Sequence, residues 1–329
     1  MKVSVVIPAY NAQQTIGATV THVLSQARGK LQVEVVVVDD GSSDETASIA
    51  DSAGAIVLQQ ANAGPATARN RGWQNSTGQL VCFTDSDCLP ATDWLENLLD
   101  GFTHWQVGAV AGSYEIANPS SWLARWVHQE IIERHKKMNS FVRAFGSYNV
   151  AIPRYVLKAT GGFDSAYRRA SGEDNDLSYR ILKKGWRIAF NPGAKVAHYH
   201  PEKLWKYLME QYRHGFWRAK LYLDHPDMAR GDDYTRLRDR LEPILLGGIV
   251  GFLLLAVLGI TGVIWPLLVF LAAYTAIQLS WPMSWWLGEG RADALPYAVV
   301  TFLRGVARTI GLGTGIFRFG LQLAFRKDA

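Results

Sequence analysis

Cysteine is nearly missing from this sequence: Cys82 and Cys88 are the only two in 329 residues. Two cysteines make neither a disulfide framework nor a tetrahedral zinc set, and a reducing compartment suits both as small core residues. A longer absence lies further on. From Pro243 to Gly288, forty-six consecutive residues include no Asp, Glu, Lys, Arg or His. About 20 apolar residues cross a bilayer, so this run is long enough for two crossings. A signal-peptide pattern is absent as well: Met1 and Lys2 lead into a strand-like run that turns polar at Asn11, which predicts a cytoplasmic N-terminal part. No G-x-G-x-x-G follows the first two predicted strands, which disfavours a dinucleotide site. The net charge of +5 comes without a stacking motif or a recognised binding module, so no nucleic-acid partner is expected.

What is present alternates. Apolar, β-branched runs at Val3 to Ile7, Val33 to Val38, Ala55 to Leu58 and Leu80 to Thr84 read as buried strands. Segments of helical spacing separate them, such as Thr15 to Ala27 with Ile16, Val20, Val23 and Leu24 on one face. Such alternation predicts an α/β fold with a doubly wound, mainly parallel sheet. Ligands of such sheets bind at the carboxyl ends of strands, and the residues there are polar and acidic. The first strand runs into Pro8, Tyr10 and Asn11, where Pro8 is expected to end pairing and Tyr10 offers a flat ring to a base. The second closes on Asp39 and Asp40, followed by a helix capped by Ser43 or Asp44. The fourth ends in Asp85, Ser86 and Asp87. Two carboxylates so close repel unless a cation lies between them, and Mg²⁺ or Mn²⁺ with oxygen ligands is the usual solution. Before that strand, Asn62 to Gly72 turns through Gly-Pro into a helix carrying Arg69, which suits a diphosphate.

Four stretches in this order, VSVVIPAYN, VVVVDDGSSDET, GPATARNRG and FTDSD, resemble the nucleotide-sugar half of a family 2 glycosyltransferase with the GT-A fold. The resemblance implies that Pro8, Tyr10, Asn11 and Asp39 or Asp40 meet the nucleoside, that Arg69 lies near the sugar-diphosphate, and that Asp85, Ser86 and Asp87 form the metal motif. Further on, GSYNVAIP, GGFD and SGEDND resemble the acceptor side, which implies Asp174 as catalytic base with Glu173 beside it, and Asn149 toward the acceptor. His198 and His200 leave a short strand two residues apart, so His198 is a minor candidate for the metal or the diphosphate. Arg213, in QYRHG, resembles the family's closing element. The Gln-x-x-Arg-Trp form of processive synthases is absent, which predicts addition of a single sugar.

The expected domains are a catalytic domain over 1–200 (1–100 for the nucleotide sugar, 101–200 for the acceptor), amphipathic interfacial helices or linker over 201–242, a transmembrane hairpin over 243–282, and a basic segment over 295–326. Arg236, Arg238, Arg240, Arg304, Arg308, Arg318, Arg326 and Lys327 cluster around the apolar run and the C-terminus, as an anionic membrane face would favour. The turn near Thr261 to Trp265 lacks Lys and Arg, so it is expected outside, with both hairpin ends and the catalytic domain cytosolic, at the inner membrane in a bacterium. In 295–326 the arginines fall on one side of a helical wheel, predicting a surface helix that meets lipid phosphates; a third span stays open, and Gly311, Gly313 and Gly315 argue against one unbroken helix. The expected activity is metal-dependent, inverting transfer from a nucleotide sugar, UDP-linked by preference, to a lipid or lipid-linked acceptor. A soluble or polysaccharide acceptor, a nucleotidyltransferase and a non-catalytic membrane scaffold are the alternatives. The nucleotidyltransferase needs a Gly- and Lys-rich loop that Pro8 to Gln14 lacks.

Overall fold

The computed structural model describes residues 1–329 apart from 170, 229, 230, 232, 234, 236, 328 and 329, with side chains to residue 321. Arg236, and the side chains of Arg326 and Lys327, therefore lie outside the described residues. The chain divides into two units, Met1–His200 and Pro201–Ala329.

In the first unit the order is β1 (Lys2–Ala9), α1 (Ile16–Leu24), β2 (Gln32–Asp39), α2 (Thr46–Ser52), β3 (Ile56–Gln59), α3 (Pro65–Gln74), β4 (Leu80–Thr84), β5 (Cys88–Pro90), α4 (Trp94–Asp100), β6 (Val107–Ile116), α5 (Trp122–His135), β7 (Phe141–Val142), β8 (Asn149–Pro153), α6 (Arg154–Thr160), α7 (Glu173–Lys183) and β9 (Arg187–His198). Among the described residues the strands form one sheet in the order β3-β2-β1-β4-β8-β6-β9-β5, with β7 also on β9. Strands β3, β2, β1, β4, β6 and β9 run one way; β8, β5 and β7 run against them. The chain is thus an α/β protein whose parallel set is interrupted by β8.

The period-two alternation of each strand separates two cores. Val3, Val5, Ile7, Val35 and Val37 face α1 and α4, while Val6, Val81 and Phe83 face α3, α6 and α7. These side chains are buried completely or nearly so, and burial stabilises each by about 1.5–3 kcal/mol relative to exposure. Cys82 and Cys88 are free and buried in the first of these layers, as small core residues. Pro8 does not end pairing: it sits opposite Val38, and the ladder with β2 continues to Ala9 and Asp39. The ladder with β4 has already stopped at Val6 and Phe83, so a residue without an N–H is tolerated beyond it. Of the two expected caps Asp44 serves the start of α2, its Oδ1 accepting from the Thr46 N–H and hydroxyl, while Glu45 makes no cap bond.

The second unit is helical: α8 (Leu204–Asp224), α9 (Leu237–Val257), α10 (Ile264–Glu289) and α11 (Tyr297–Lys327). Helices α9 and α10 are long and apolar enough to cross a membrane, and only 11% and 17% of their most apolar stretches are buried. Helix α11 is unbroken, contrary to the expectation from its glycines. A Cβ on Gly311 would lie 2.0 Å from the Tyr212 carbonyl oxygen, and one on Gly315 2.3 Å from that of Phe216. These glycines let α11 approach the α8 backbone, as small residues four apart do in helix pairs. The buried stripe of α8 is accordingly Tyr207, Gln211, Gly215 and Ala219. Two arginines of α11 depart from the expected lipid-facing role, while Arg318 is exposed. Arg304 is buried with Nη2 3.3 Å from Glu242 Oε1, and Arg308 donates to Asp239 Oδ1 at 2.9 Å and Gln211 Oε1 at 2.7 Å. Their charge is spent on carboxylates of α9 and the amide of Gln211, so lipid phosphates are not their partners.

Candidate active site

Parallel strands aim their carboxyl ends at one rim of the sheet. Register places Asp39 opposite Ala9, with Tyr10 next in chain, and Asp85 to Asp87 follow β4 alongside. Two helices then close on this rim, each starting after a glycine at positive φ, Gly64 (φ 92°) before α3 and Gly172 (φ 93°) before α7. At Gly64 a Cβ would also lie 2.4 Å from the Arg168 carbonyl oxygen, so both conformation and space require glycine there.

Helix α3 delivers Arg69, 2% exposed, to the centre. Its Nη1 donates to Glu173 Oε1 at 2.9 Å and its Nη2 to Asp85 Oδ1 at 2.8 Å. Both terminal nitrogens of Arg69 serve carboxylates, so the guanidinium ties the expected metal motif to the first turn of α7. Burial works against its charge, but Asp85 and Glu173 outweigh that and hold the cation. Glu173 is buried, and its other oxygen accepts from the Ser171 N–H at 2.7 Å, so it is a structural partner of Arg69 more than a free acid. Burial and the neighbouring charge of Asp174 raise the Glu173 pKa against the pull of Arg69. Asp174, half-buried at the same helix start, accepts from the Asn175 N–H at 2.8 Å; burial raises its pKa too.

The register of β5 on β9 sets Cys88 opposite His198 and thereby brings Asp87 to His198, with Nε2 3.5 Å from Oδ1. Ligand atoms of Asp87, Cys88 and His198 lie within 4.8 Å of one another. Burial, then the charges of Asp87 and Asp85, raises the Cys88 thiol pKa, and a soft sulfur is not a ligand that a hard cation favours. A carboxylate and an imidazole remain, and Asp85, whose Oδ1 is held by Arg69, follows two residues before Asp87. This oxygen-rich set with one nitrogen fits Mn²⁺ or Mg²⁺. Sequence reasoning did not connect what stands behind His198. Its Nδ1 lies 3.3 Å from His200 Nδ1, and His200 Nε2 lies 3.3 Å from His128 Nδ1. Burial, then the neighbouring histidines, lowers the pKa of His200 to about 2, and burial lowers that of His128. His128 comes from α5, seventy-two positions away from its partner, and no spacing in the sequence signals it.

The other expected residues separate. Asp40 is saturated, accepting from Gln60 Nε2 at 2.7 Å, the Ala63 N–H at 2.8 Å and the Gly64 N–H at 2.9 Å, and so pins the loop into α3. Asp39 accepts from the Ser42 N–H through Oδ1 and keeps Oδ2 for another donor. Asn11, at φ 49°, accepts from the Ser43 N–H and braces that loop; Tyr10 is 53% exposed, and Ser86 is half-buried with its carbonyl accepting from Thr19. Asn149 does not face an acceptor. It is buried, donates to the carbonyls of Ser113 and Ala194, and accepts from Trp94 Nε1 at 2.8 Å, which ties β8 to β6, β9 and α4. Arg213 is an exposed residue of α8 in the second unit. A cavity of about 580 Å³ opens beside Tyr114, lined also by Ile132, His135, Met138 and Phe190; Tyr114 stacks on Tyr148 and meets His198 edge-on at 5.4 Å.

Comparison with known proteins matches residues 1–216 to the family described as glycosyltransferase like family 2. A pre-mycofactocin glycosyltransferase of Mycobacterium tuberculosis is 33% identical over 237 residues, 68% of this chain and 48% of its own. The Escherichia coli UDP-Glc:alpha-D-GlcNAc-diphosphoundecaprenol beta-1,3-glucosyltransferase is 30% identical over 201 residues, 60% of this chain and 76% of that protein. A mannosyltransferase structure from Pyrobaculum calidifontis aligns over 96% of this chain and 87% of its own, with a TM-score of 0.61 at 22% identity, a likeness of fold. The chain spans about half the length of the mycobacterial relative and of a second bacterial one. A family match that spans well over half of its length, on a sheet of this order, means that the chain belongs to the family 2 glycosyltransferases.

Proposed function

We propose that the protein transfers a single sugar from a nucleotide sugar, UDP-linked by preference, to a lipid-linked acceptor, with a divalent cation and inversion at the anomeric carbon. The observation that carries this reading is the Asp85–Arg69–Glu173 bridge, which holds Asp174 and the metal motif at one rim of the sheet. Tyr10 offers its exposed ring to the base, and Asp39 Oδ2 accepts from the nucleoside. Asp85, Asp87 and His198 would hold the cation, which supplies positive charge for the departing diphosphate. Asp174 takes the proton of the acceptor hydroxyl, and the burial that raises its pKa makes it a stronger base than an exposed aspartate. Attack from the side opposite the diphosphate inverts the carbon. We assign the acceptor to the cavity beside Tyr114, whose ring meets His198. For a lipid acceptor the support is twofold: α9 and α10 are long and apolar enough to cross a bilayer, and the Escherichia coli relative is named for a diphosphoundecaprenol acceptor. A hairpin anchored with its ends in the cytosol would confine enzyme and acceptor to one surface.

The test is nucleoside diphosphate release by the intact chain in detergent, over UDP- and GDP-sugars, with Mn²⁺, Mg²⁺ or EDTA, and with or without polyprenyl-diphosphate-linked sugars. One donor is expected to give release that EDTA abolishes and the lipid acceptor raises. Release indifferent to EDTA would sink the cation, and equal release with water-soluble sugars would sink the lipid acceptor.

A further inference from the structure

We infer that His200 and His128 are positioning residues for the cation site: they form a hydrogen-bonded chain of imidazoles that couples the place of the proton on His198 to the cation and holds its ring. The inference rests on the reading of Asp87 and His198 as cation ligands.

Two ring nitrogens 3.3 Å apart form a hydrogen bond only if one bears hydrogen and the other a lone pair. A neutral imidazole has one of each. The contacts His198 Nδ1 to His200 Nδ1 and His200 Nε2 to His128 Nδ1 therefore couple the three rings, and the chain has two directions. In one, His128 Nδ1–H donates to His200 Nε2, and His200 Nδ1–H donates to His198 Nδ1. His198 is then left with Nε2–H pointing at Asp87, which is no ligand for a metal. In the other, His198 Nδ1–H donates to His200 Nδ1, and His200 Nε2–H donates to His128 Nδ1. His198 then presents an Nε2 lone pair beside Asp87 Oδ1, at 3.5 Å. A bound cation selects this second direction, and the chain in turn holds the ring in the orientation the cation needs.

The rings are fixed well enough to act this way. Asn118 clamps the His200 backbone on both sides, donating to its carbonyl at 2.8 Å and accepting from its N–H at 3.0 Å. His200 is 5% exposed and His128 9%. Tyr114 meets both His198 and His200 edge-on. A histidine held only for packing would not need nitrogen facing nitrogen at both ends.

Mn²⁺ binding to the intact chain in detergent, followed by electron paramagnetic resonance, tests this. In wild type, spin-echo modulation from a directly bound ¹⁴N is expected, and Asp87→Asn should weaken Mn²⁺ binding. His200→Phe keeps a ring but removes the acceptor, and should weaken Mn²⁺ by roughly 10–100-fold, the usual size of such an outer effect, with loss of the ¹⁴N modulation. His200→Asn puts an acceptor oxygen near the Nδ1 position and should restore affinity to within about threefold of wild type. His128→Phe against His128→Asn repeats the contrast one ring further back. Equal affinity in wild type and both Phe variants would overturn the chain while leaving the cation site standing, and so would an Asn variant as weak as its Phe counterpart. Absence of nitrogen modulation in wild type overturns it without any variant. Failure of wild type to bind Mn²⁺, or indifference to Asp87→Asn, removes the cation reading and the chain with it.

Discussion

Two buried arginines organise the two units of this chain, and they keep different company. Arg69 stands among more carboxylates than it can neutralise: Asp85 and Glu173 at hydrogen-bond distance, with Asp174 next to Glu173. Arg304 stands where arginines are in excess: Glu242 Oε1 receives Arg304 Nη2, Arg238 Nε and Gln278 Nε2 together. The first cluster keeps surplus negative charge at the open end of a sheet, where a cation and a base are useful. The second closes on itself between helices and links α9, α10 and α11. The same ion-pair chemistry thus marks the candidate site in one unit and a staple in the other, and what tells them apart is the ratio of charges, not burial.

The largest expected effect sharpens the first half of that comparison. Asp174→Asn should lower kcat by roughly 10²–10⁴-fold, the range for loss of a general base, with donor affinity within about twofold. Because burial raises the Asp174 pKa, the wild-type rate should fall as pH drops through a point above the ordinary aspartate range. The base must be unprotonated to work, so the loss lies on the acid side. A variant that retained full turnover, or a wild-type rate flat down to pH 4, would leave the surplus charge without the role assigned to it.

Next comes a pair of variants that sets the two clusters against each other. Arg69→Met leaves Glu173 buried without its cation, and breaking such a pair costs about 3–5 kcal/mol. Arg304→Met leaves Glu242 with Arg238 and Gln278, so the cost should be nearer 1–3 kcal/mol, about that of a charged hydrogen bond. Hydrogen exchange should rise in α3 and α7 for the first variant and in α9 to α11 for the second. Turnover per folded molecule should fall only in the first. Loss of turnover in Arg304→Met with its helices still protected would break the division into site and staple.

How far this was legible in the sequence follows the same line. Strands β1, β2 and β4 could be read because burial on two faces demands unbroken runs of Val, Ile and Phe, a local requirement. The acids at their ends were equally visible. What a carboxylate touches is not local: Asp39 and Asp40 are adjacent, yet only Asp40 is consumed by Gln60, Ala63 and Gly64. Arg69 is visible as a candidate, but its partner Glu173 is not, because it lies 104 positions away. Asn149 was misread for the same reason, its three partners lying on three other elements. The glycines of α11 looked like helix breakers because the backbone they admit belongs to α8.

A third carboxylate, at the opposite rim of the first unit, completes the comparison with the smallest effect. Glu34 accepts from the Ser4 hydroxyl and the Thr77 N–H through Oε1, each at 2.8 Å, and through Oε2 from the Thr77 hydroxyl at 2.8 Å and Lys2 at 2.9 Å. Each oxygen has two donors, so nothing is left for a ligand, and the group serves stability alone. Burial works against its charge, but Lys2, Thr77 and Ser4 outweigh it and hold the pKa at about 2 against an ordinary 4.5. A depressed carboxylate stabilises the fold fully above its unfolded pKa and loses that contribution as pH falls toward the folded value. The gap in melting temperature between wild type and Glu34→Gln should therefore be constant above about pH 5, narrow below it, and be nearly gone near pH 2. Turnover at neutral pH should match wild type in folded protein. A gap that does not change with pH would show that Glu34 contributes through shape rather than charge, and the saturated carboxylate could then no longer serve as the reference against which the unsatisfied ones at the other rim are judged.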